Sequence, residues 1–320
     1  MYYPYFRGKQ FELIAIRESA EVLASSGFVP IVEPVRESLS SLERTLSALG
    51  EQKTEVVVIV NPLHGDHKAS SESIVSFLAD RSTDSGTVSP GVLLTSDVAA
   101  PEAAALLNRL ESDGFTAATV VHAGFTDARG FLAEIKFTQL SIRNAFFDKH
   151  TNLLYRRHFP DGQRVLIADG FTQMKNADYP PLEAFSDLHA TFTERGMQGY
   201  GDFLTVGDNY SEGGGPAYAV AIHLTFIDPD QDNAMFVYHF KSDTNDTPTD
   251  PAGKFSQALN KLIAKLDSGN SGLVDTSAIG EFRTLHERGH FPGLGYVKKL
   301  SIKHHIETLA HYHRSQIHAG

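Results

Sequence analysis

Charged and polar side chains follow the ends of successive strand-like segments in this chain. Glu33 is the most informative of them, because it interrupts the apolar segment at residues 29–35. An ionised carboxylate in such a segment needs a cation or several hydrogen-bond donors. Arg7 and Lys9, which follow the preceding strand, are expected to supply them. Glu33 is therefore predicted to be half of a buried ion pair, or else a general acid or base or a ligand anchor.

Two further residues complete the predicted catalytic set. His122 and Asp169 stand at the ends of the fifth and seventh predicted strands, as Glu33 stands at the end of the second. Glu33 and Asp169 are the acid–base candidates, and His122 is the candidate electrophile or second base. Arg7, Lys9 and Arg143 would hold an anionic group by charge-assisted hydrogen bonds. The full set of predicted ligand-binding residues is Arg7, Lys9, Asn61, Arg143, Asn144 and Asp202.

Two histidines have a spacing that resembles a metal loop. His64 and His67 are separated by two residues, and His122 and Asp169 could add ligands suited to zinc, manganese or iron. An HxxH pair outside a helix fixes no coordination geometry. Ordinary loop histidines are therefore the expectation, no metal is predicted, and the sequence names no cofactor.

A glycine-rich segment, residues 207–216, follows the last predicted strand of the first part of the chain. Glycines allow a backbone to approach a ligand closely, and the loops after strands 7 and 8 of an α/β barrel often hold phosphate. Asp202, Asp208 and Glu212 would repel an anion there unless a cation bridges them. The segment is predicted to be either a flexible lid or a phosphate cradle.

Histidines are concentrated in the C-terminal part. His223 and His239 lie on the two arms of a predicted hairpin, where a paired structural role is favoured. Seven of the fifteen histidines lie at residues 286–318. A solvated or interface helix that responds to pH near about 6.5 is expected there rather than a metal site. Three of the seven share one helical face: His304, His311 and His318.

Eight predicted strands position these residues. Short β-branched segments alternate with segments of helical period, which is the pattern of βα units around a parallel sheet. Eight strands separated by seven helices predict a (β/α)8 barrel, since a doubly wound sheet has five or six strands and a glycine-rich first turn. The first of the seven helices is predicted at residues 10–24 and the last at 183–194. The strands are predicted at residues 2–6, 29–35, 55–60, 91–95, 117–121, 141–147, 164–168 and 202–206.

The carboxyl ends of the strands converge at the mouth of a barrel. A shared site of fixed cations and titratable groups is therefore predicted there. Such a composition suits the binding of an anion and the movement of a proton. The residues predicted to share this site are Arg7, Lys9, Glu33, His122, Arg143 and Asp169.

The pattern changes after residue 216. A β-hairpin is predicted at residues 217–227 and 235–240, and three helices are predicted near residues 252–266, 277–288 and 297–313. The chain is accordingly predicted to consist of a barrel, residues 1–216, and a C-terminal extension, residues 217–320, packed on that barrel.

Composition limits the classes of function. The 320 residues include 28 Lys+Arg and 39 Asp+Glu, a net charge of -11, which argues against generic binding of duplex DNA. The absence of Cys excludes disulfides, thiolate zinc sites and cysteine nucleophiles. No apolar segment approaches the ~20 residues of a membrane span, and the N-terminus lacks the pattern of a secretion signal. A cytoplasmic protein without membrane contact is expected.

Several segments resemble one known group of sequences. They are YPYFRGKQFEL at residues 3–13, PIVEP at 30–34 and GYGDF at 199–203, and the likeness extends through AVAIH at 219–223 and HFKS at 239–242. The chain resembles an uncharacterised bacterial family that is similar to the phage "beta protein" family. That family brings no established catalytic residues. The resemblance implies a phage-linked or mobile-element setting, with antiphage defence as the expected role.

Two classes of function are left open. The first is an enzyme, a hydrolase or lyase that acts on a phosphorylated or nucleotide-like small molecule. The second is a non-catalytic barrel that senses a phage component or a nucleic-acid end and acts through a protein partner on its C-terminal helices. The usual role of barrels favours the enzyme, although a fold alone does not establish a function. Convergence of the mouth residues in one pocket would support the enzyme, and a mouth plugged by the C-terminal part would support the sensor.

Overall fold

Eight parallel strands alternate with helices in the first two thirds of the chain. The computed structural model describes residues 1–81, 87–159 and 162–319, with side chains to residue 316. The strands hydrogen bond in the order β1-β2-β3-β4-β5-β6-β7-β9, which is the predicted (β/α)8 barrel, and β8 belongs to a second sheet. The bounds are β1 (Tyr5–Phe6), β2 (Ile31–Val32), β3 (Val56–Ile59), β4 (Val88–Thr95), β5 (Ala117–Ala123), β6 (Ser141–Phe147), β7 (Gln163–Ile167), β8 (Leu182–Ser186) and β9 (Gly199–Gly201).

The barrel is nearly closed by the N-terminal segment, which runs beside β9. The N–H of Tyr3 donates to the carbonyl oxygen of Tyr200 at 2.8 Å. A Cβ at Gly201 would clash with the carbonyl oxygen of Tyr3. The eighth strand of the barrel is β9, so the prediction of this strand at residues 202–206 is wrong. The close approach of Tyr3 requires glycine here, and glycine is disfavoured by strand propensity, so the sequence does not look like a strand.

The alternation of side chains along the strands separates two apolar layers. One layer fills the barrel, and the other packs between the strands and the surrounding helices. Strand β3 is buried at all four positions, as its continuously aliphatic sequence predicts. The barrel interior contains Tyr3, Tyr5, Val29, Ile31, Val57, Ile59, Leu93, Val121, Ala145, Phe147, Val165, Ile167 and Phe203.

Two helix predictions are wrong in this part of the chain. The helix predicted at residues 10–24 is interrupted at Ser19, whose N–H is shared between two carbonyl oxygens of the preceding turn. The helix predicted at 183–194 is strand β8 followed by one short helix, because pairing with a later strand outweighs the helical pattern. The helices are α1 (Gln10–Glu18), α2 (Ala20–Ser26), α3 (Ser40–Glu51), α4 (Glu72–Ala79), α5 (Ala100–Ser112), α6 (Ala128–Glu134), α7 (Leu153–Arg156) and α8 (Leu188–Thr191).

The predicted hairpin and three helices follow residue 216. Strand β10 (Ala221–Asp228) pairs antiparallel with β11 (Ala234–Lys241), and β8 pairs with the other edge of β11. The division of the chain at residue 217 stays a prediction, and β8 joins this second sheet from before that residue. The helices are α9 (Pro251–Asp267), α10 (Ser277–Glu287) and α11 (Leu294–Ala319).

Helix α11 is held in place by buried histidines. His304 and His305 are 0% exposed, and their Nδ1 atoms form hydrogen bonds with the hydroxyls of Thr276 and Thr225 at 2.8 and 2.9 Å. The prediction of a solvated or interface histidine face is therefore wrong for His304, because α11 packs against β10, α1 and α10 of the same chain. The side chain of His318 lies outside the described residues. None of the helices described is both long and apolar enough to cross a bilayer.

Candidate functional site

Glu33 and Arg7 form a buried ion pair where β1 and β2 end. Arg7 Nη1 donates to Glu33 Oε2, and the Tyr5 hydroxyl donates to the same oxygen at 3.0 Å. Glu33 Oε1 accepts the N–H groups of Leu63 and His64 at 2.8 and 3.1 Å. The predicted ion pair is confirmed. Since both carboxylate oxygens already have donors, the arrangement supports a structural role for Glu33.

Arg7 extends this network to the loop after β9. Its Nη2 donates to Asp208 Oδ1 at 2.6 Å and to the Asp208 carbonyl oxygen at 2.9 Å. The N–H of Asp208 donates to Asp169 Oδ2 at 2.8 Å. Burial raises the pKa of Asp169, and the charge of Asp208 acts in the same direction. Arg7, Glu33 and Asp169 therefore belong to one network at the barrel mouth.

Lys9 lies at the rim of the mouth and does not contact Glu33. Its Nζ donates to the carbonyl oxygen of Ser211 and stands 4.7 Å from the centroid of the Tyr210 ring. Burial lowers the pKa of Lys9, and the charge of Lys298 adds to this effect. Lys9 thus fixes the start of the glycine-rich segment and does not complete the predicted acid–base site.

His122 and Asn144 face the helices outside the barrel. His122 Nε2 donates to Asn144 Oδ1 at 3.0 Å, and Nδ1 accepts the Tyr155 hydroxyl at 2.7 Å. The imidazole stacks on Phe146 at 4.7 Å, and burial lowers the pKa of His122 to about 4. The prediction that His122 lies at the mouth is wrong. Side chains alternate along β5, so Val121 points into the barrel and His122 points outward.

Arg143 lies at the opposite, amino-terminal end of the barrel. Its Nη1 donates to Glu55 Oε1 at 2.7 Å, its Nε donates to Gln163 Oε1 at 2.8 Å, and its Cζ stands 5.1 Å from the Tyr3 ring centroid. Glu55 precedes β3, and Gln163 begins β7. The prediction of Arg143 at the mouth is wrong because it occupies the third position of β6, near the start of that strand.

Asn61 and Asp202 take part in hydrogen bonds that join elements of the fold. The side-chain amide of Asn61 both donates to and accepts from the backbone of Leu93 at 2.8 Å, which extends the pairing of β3 with β4. Asp202 Oδ1 accepts the Tyr2 hydroxyl at 2.7 Å, and Oδ2 accepts His305 Nε2 at 3.1 Å. The structure therefore does not place these two predicted ligand-binding residues together.

The loop histidines have protein partners. His64 stacks on the Tyr210 ring with centroids 4.5 Å apart. His67 Nε2 donates to the Arg36 carbonyl oxygen, and Nδ1 accepts the Ser73 hydroxyl, both at 3.0 Å. Over the described ranges of the chain, no three His, Asp or Glu side chains gather as ligands for a metal ion.

A cavity of about 810 Å³ lies beside the mouth, and sequence reasoning did not predict it as a whole. Its walls come from the loops after β7, β9 and β11, from strand β10 and from the first two turns of α11. Gly214 and Gly215 of the glycine-rich segment line it, which was the one sequence signal for this place. Thr205, His223 and Lys298 also line it, and only tertiary packing brings these residues together.

The charged lining of this cavity is cationic. Lys175 and Lys298 line it, and neither forms an ion pair within the part of the chain that the structure describes. No Asp or Glu is among its described lining residues. Asp208, which was expected to repel an anion near this loop, is paired with Arg7. The cavity is therefore a cationic site in a chain whose net charge is -11.

Two polar side chains of the cavity wall have an atom without a protein partner. Thr205 is 3% exposed, and its Oγ1 makes no hydrogen bond with any described residue. His223 uses Nδ1 in a hydrogen bond of 2.6 Å with His239, and its Nε2 has no partner among the described residues. The two atoms differ in burial: Thr205 Oγ1 is closed off from the cavity, whereas His223 is only half-buried, so a ligand or water can reach its Nε2. A ligand or water that satisfied this nitrogen would be stabilised.

Two comparisons with known proteins give no match. A scan against protein-family models finds none, and a search of curated proteins finds none. The resemblance to the family similar to the phage "beta protein" family stays a prediction.

Proposed function

We propose that the protein binds a small anionic molecule, phosphorylated or nucleotide-like, in the cavity beside the barrel mouth. The observation that carries this proposal is the charge of the lining, which includes Lys175 and Lys298 but no described carboxylate. Lysines that form no ion pair are the groups that would bind such an anion, although Lys298 has one other electrostatic effect: burial raises the pKa of Glu12, and the charge of Lys298 acts against that rise. A volume of about 810 Å³ is also within the range of roughly 300–1,000 Å³ that ligand pockets occupy.

The position of the cavity in the barrel gives independent support. Strands β7 and β9 are the seventh and eighth strands of the barrel, and the loops after them form much of the wall. Loops at this position frequently bind phosphate in (β/α)8 barrels.

The network at the mouth is less suited to an anion. The guanidinium of Arg7 is already paired with Glu33 and Asp208, and Asp169 adds a third carboxylate. An anion would have to displace a buried carboxylate from Arg7, and an unpaired buried charge is strongly unfavourable. We therefore assign ligand binding to the cavity and a structural role to the mouth.

Calorimetric titration with inorganic phosphate and adenosine monophosphate tests this assignment. Lys298→Gln removes one cation of the cavity and should weaken binding about tenfold, equivalent to about 1.4 kcal/mol. The matched control is Lys53→Gln, which removes an exposed lysine that does not line the cavity. Absence of binding to the wild-type protein, or equal weakening in both variants, would contradict the proposal.

The phage-linked setting is proposed on the resemblance alone. In this setting, binding of the anion would change the response of a cell to infection, either through catalysis or through a partner on the C-terminal helices. Cells that express the wild-type chain or its Lys298→Glu variant can be challenged with a panel of phages. Equal plating of every phage on both strains and on cells without the gene would contradict this role.

A further inference from the structure

A continuous series of hydrogen bonds leads from His223 at the cavity wall to two side chains behind it. His223 of β10 and His239 of β11 are direct cross-strand neighbours, and their Nδ1 atoms are 2.6 Å apart. His239 Nε2 donates to Glu183 Oε1 of β8 at 2.9 Å. The pairing expected between the two histidines is thus confirmed, and it extends to a carboxylate on a third strand.

The carboxylate of Glu183 determines which nitrogen atoms carry hydrogen. An ionised carboxylate only accepts, so His239 must carry its hydrogen on Nε2 and have a lone pair on Nδ1. His223 Nδ1 must then donate to His239 Nδ1. Burial lowers the pKa of both histidines, which keeps both rings neutral at neutral pH. It follows that His223 Nε2 carries a lone pair and no hydrogen.

Aromatic side chains fix the orientation of both imidazoles. The Tyr179 ring stacks on His239 with centroids 4.4 Å apart and meets His223 edge-on at 4.8 Å. The Phe171 ring packs against His223 at 5.0 Å. Since His223 lines the cavity and Nδ1 is engaged by His239, Nε2 is its one nitrogen left for a ligand. A lone pair held in this way is a preorganised proton acceptor.

We propose that His223 is a catalytic base and that the cavity hydrolyses a phosphate ester; this rests on the proposed binding of an anion there. A water molecule loses a proton to His223 Nε2 while its oxygen forms a bond to phosphorus. The bond between phosphorus and the ester oxygen breaks, and its electron pair stays on that oxygen. The leaving oxygen then takes the proton from His223 Nε2. The products are an alcohol and phosphate, and His223 returns to its neutral form.

The pKa of His223 depends on the charges around it, including the charge of a bound substrate. Burial lowers the pKa of His223, and His239 of β11 and Lys298 of α11 act in the same direction. A phosphate group beside Lys298 would offset that lysine's charge and raise the pKa of His223 again. Glu183, through His239, would stabilise the imidazolium that forms. Glu183 and His239 are therefore positioning residues, and His223 is the catalytic residue.

The test uses the full chain with p-nitrophenyl phosphate and bis(p-nitrophenyl) phosphate as probes. His223→Asn should lower the rate of hydrolysis by on the order of 10²-fold or more, the usual contribution of a general base. The matched control His290→Asn, an exposed histidine outside the cavity, should leave the rate unchanged. Glu183→Gln keeps a hydrogen-bond acceptor without its charge, and should lower the rate less than His223→Asn while it shifts the pH profile.

Binding and catalysis can be separated in the same proteins. Calorimetry should show that His223→Asn binds inorganic phosphate within about threefold of the wild-type protein. If the wild-type protein binds phosphate but cleaves neither probe above the buffer rate, catalysis is refuted and binding stands. If His223→Asn hydrolyses as fast as wild type, His223 is not the base. If phosphate does not bind at all, the proposed function fails as well.

The tautomer can be measured without a variant that has to fold. In the wild-type protein with ¹⁵N-labelled histidine, His223 Nε2 should give the chemical shift of a nitrogen without hydrogen, and added phosphate should move it. A protonated Nε2 in the neutral ring would overturn the proposal. So would a resonance that phosphate leaves unmoved while calorimetry detects phosphate binding.

Discussion

A hydrogen bond of 3.1 Å joins His305 Nε2 of α11 to Asp202 Oδ2, which directly follows the last barrel strand. Lys298 lies seven residues, about two helical turns, before His305 in the same helix. The bond therefore fixes the helix that carries the cavity lysine against the barrel. Lys299 and Lys303 of α11 secure the helix further through ion pairs with Glu18 and Glu281, whereas Lys298 forms no ion pair with a described residue.

The first prediction concerns the Glu33–Arg7 pair. Glu33→Ala leaves the guanidinium of Arg7 without its fully buried partner, and should lower the free energy of unfolding by about 3–5 kcal/mol. Glu33→Gln keeps the shape and should cost less. Urea unfolding measures both. Glu134→Ala, at an exposed helical carboxylate, is the control and should change stability by less than about 0.5 kcal/mol. Unchanged unfolding midpoints in both Glu33 variants would rule out a stabilising pair.

The second prediction concerns closure of the barrel. Gly201→Ala places a Cβ against the carbonyl oxygen of Tyr3 and close to the side chain of Ile167, and the backbone of Tyr3 cannot move aside as a flexible side chain can. We expect a loss of about 3 kcal/mol or more in the free energy of unfolding. Gly213→Ala is the matched control, since a Cβ there meets no atom within 4 Å. Similar unfolding midpoints for the two variants would show that the N-terminal segment does not need this close approach.

The sequence predicted the barrel because each strand is a short apolar segment between helical segments. It predicted the Glu33–Arg7 pair for a related reason: a carboxylate within an apolar strand requires a cation on a neighbouring strand. The closing strand was misplaced because Gly199 and Gly201 do not favour β-structure by themselves. Only the approach of Tyr3 explains why glycines occupy it.

The site was harder to predict because function depends on the face of a strand. A change of one position turns a side chain from the barrel interior to the helices, which is how His122 was misplaced. For Arg143 the prediction chose the wrong end of the strand, since this residue lies near the start of β6 and not at the mouth. The cavity combines Lys175, His223 and Lys298 from three distant segments, and no local spacing signals that they meet.

The third prediction concerns the acid dependence of stability. The pKa of His122 is lowered by burial to about 4, whereas an unfolded histidine has a pKa of about 6.5. The unfolded chain therefore binds more protons between these pH values, and the contribution of neutral His122 to stability is lost as pH falls from about 6.5 to about 4. The unfolding free energy of His122→Gln should depend less steeply on pH in this window.

Urea unfolding at several pH values measures that slope. His311→Gln is the control for removal of a histidine, because His311 is exposed on α11. It should keep the pH dependence of the wild-type protein. Equal slopes for wild type and His122→Gln between pH ~6.5 and ~4 would mean that His122 is not neutral and buried in solution.

The fourth prediction concerns Thr205, whose buried hydroxyl has no partner among the described residues of the cavity wall. Thr205→Val replaces the hydroxyl with a methyl group of similar size. Without ligand, this change should leave the unfolding free energy equal or raise it by about 1 kcal/mol, since an unsatisfied polar atom is removed. With inorganic phosphate, the same change should leave the dissociation constant within about threefold of wild type, because the buried Oγ1 has no surface open to the cavity. Urea unfolding and calorimetry on one preparation measure the two effects. A Thr205→Val protein that is clearly less stable would show that the hydroxyl has a partner in solution, and one that binds phosphate about tenfold more weakly would show that the hydroxyl contacts the ligand.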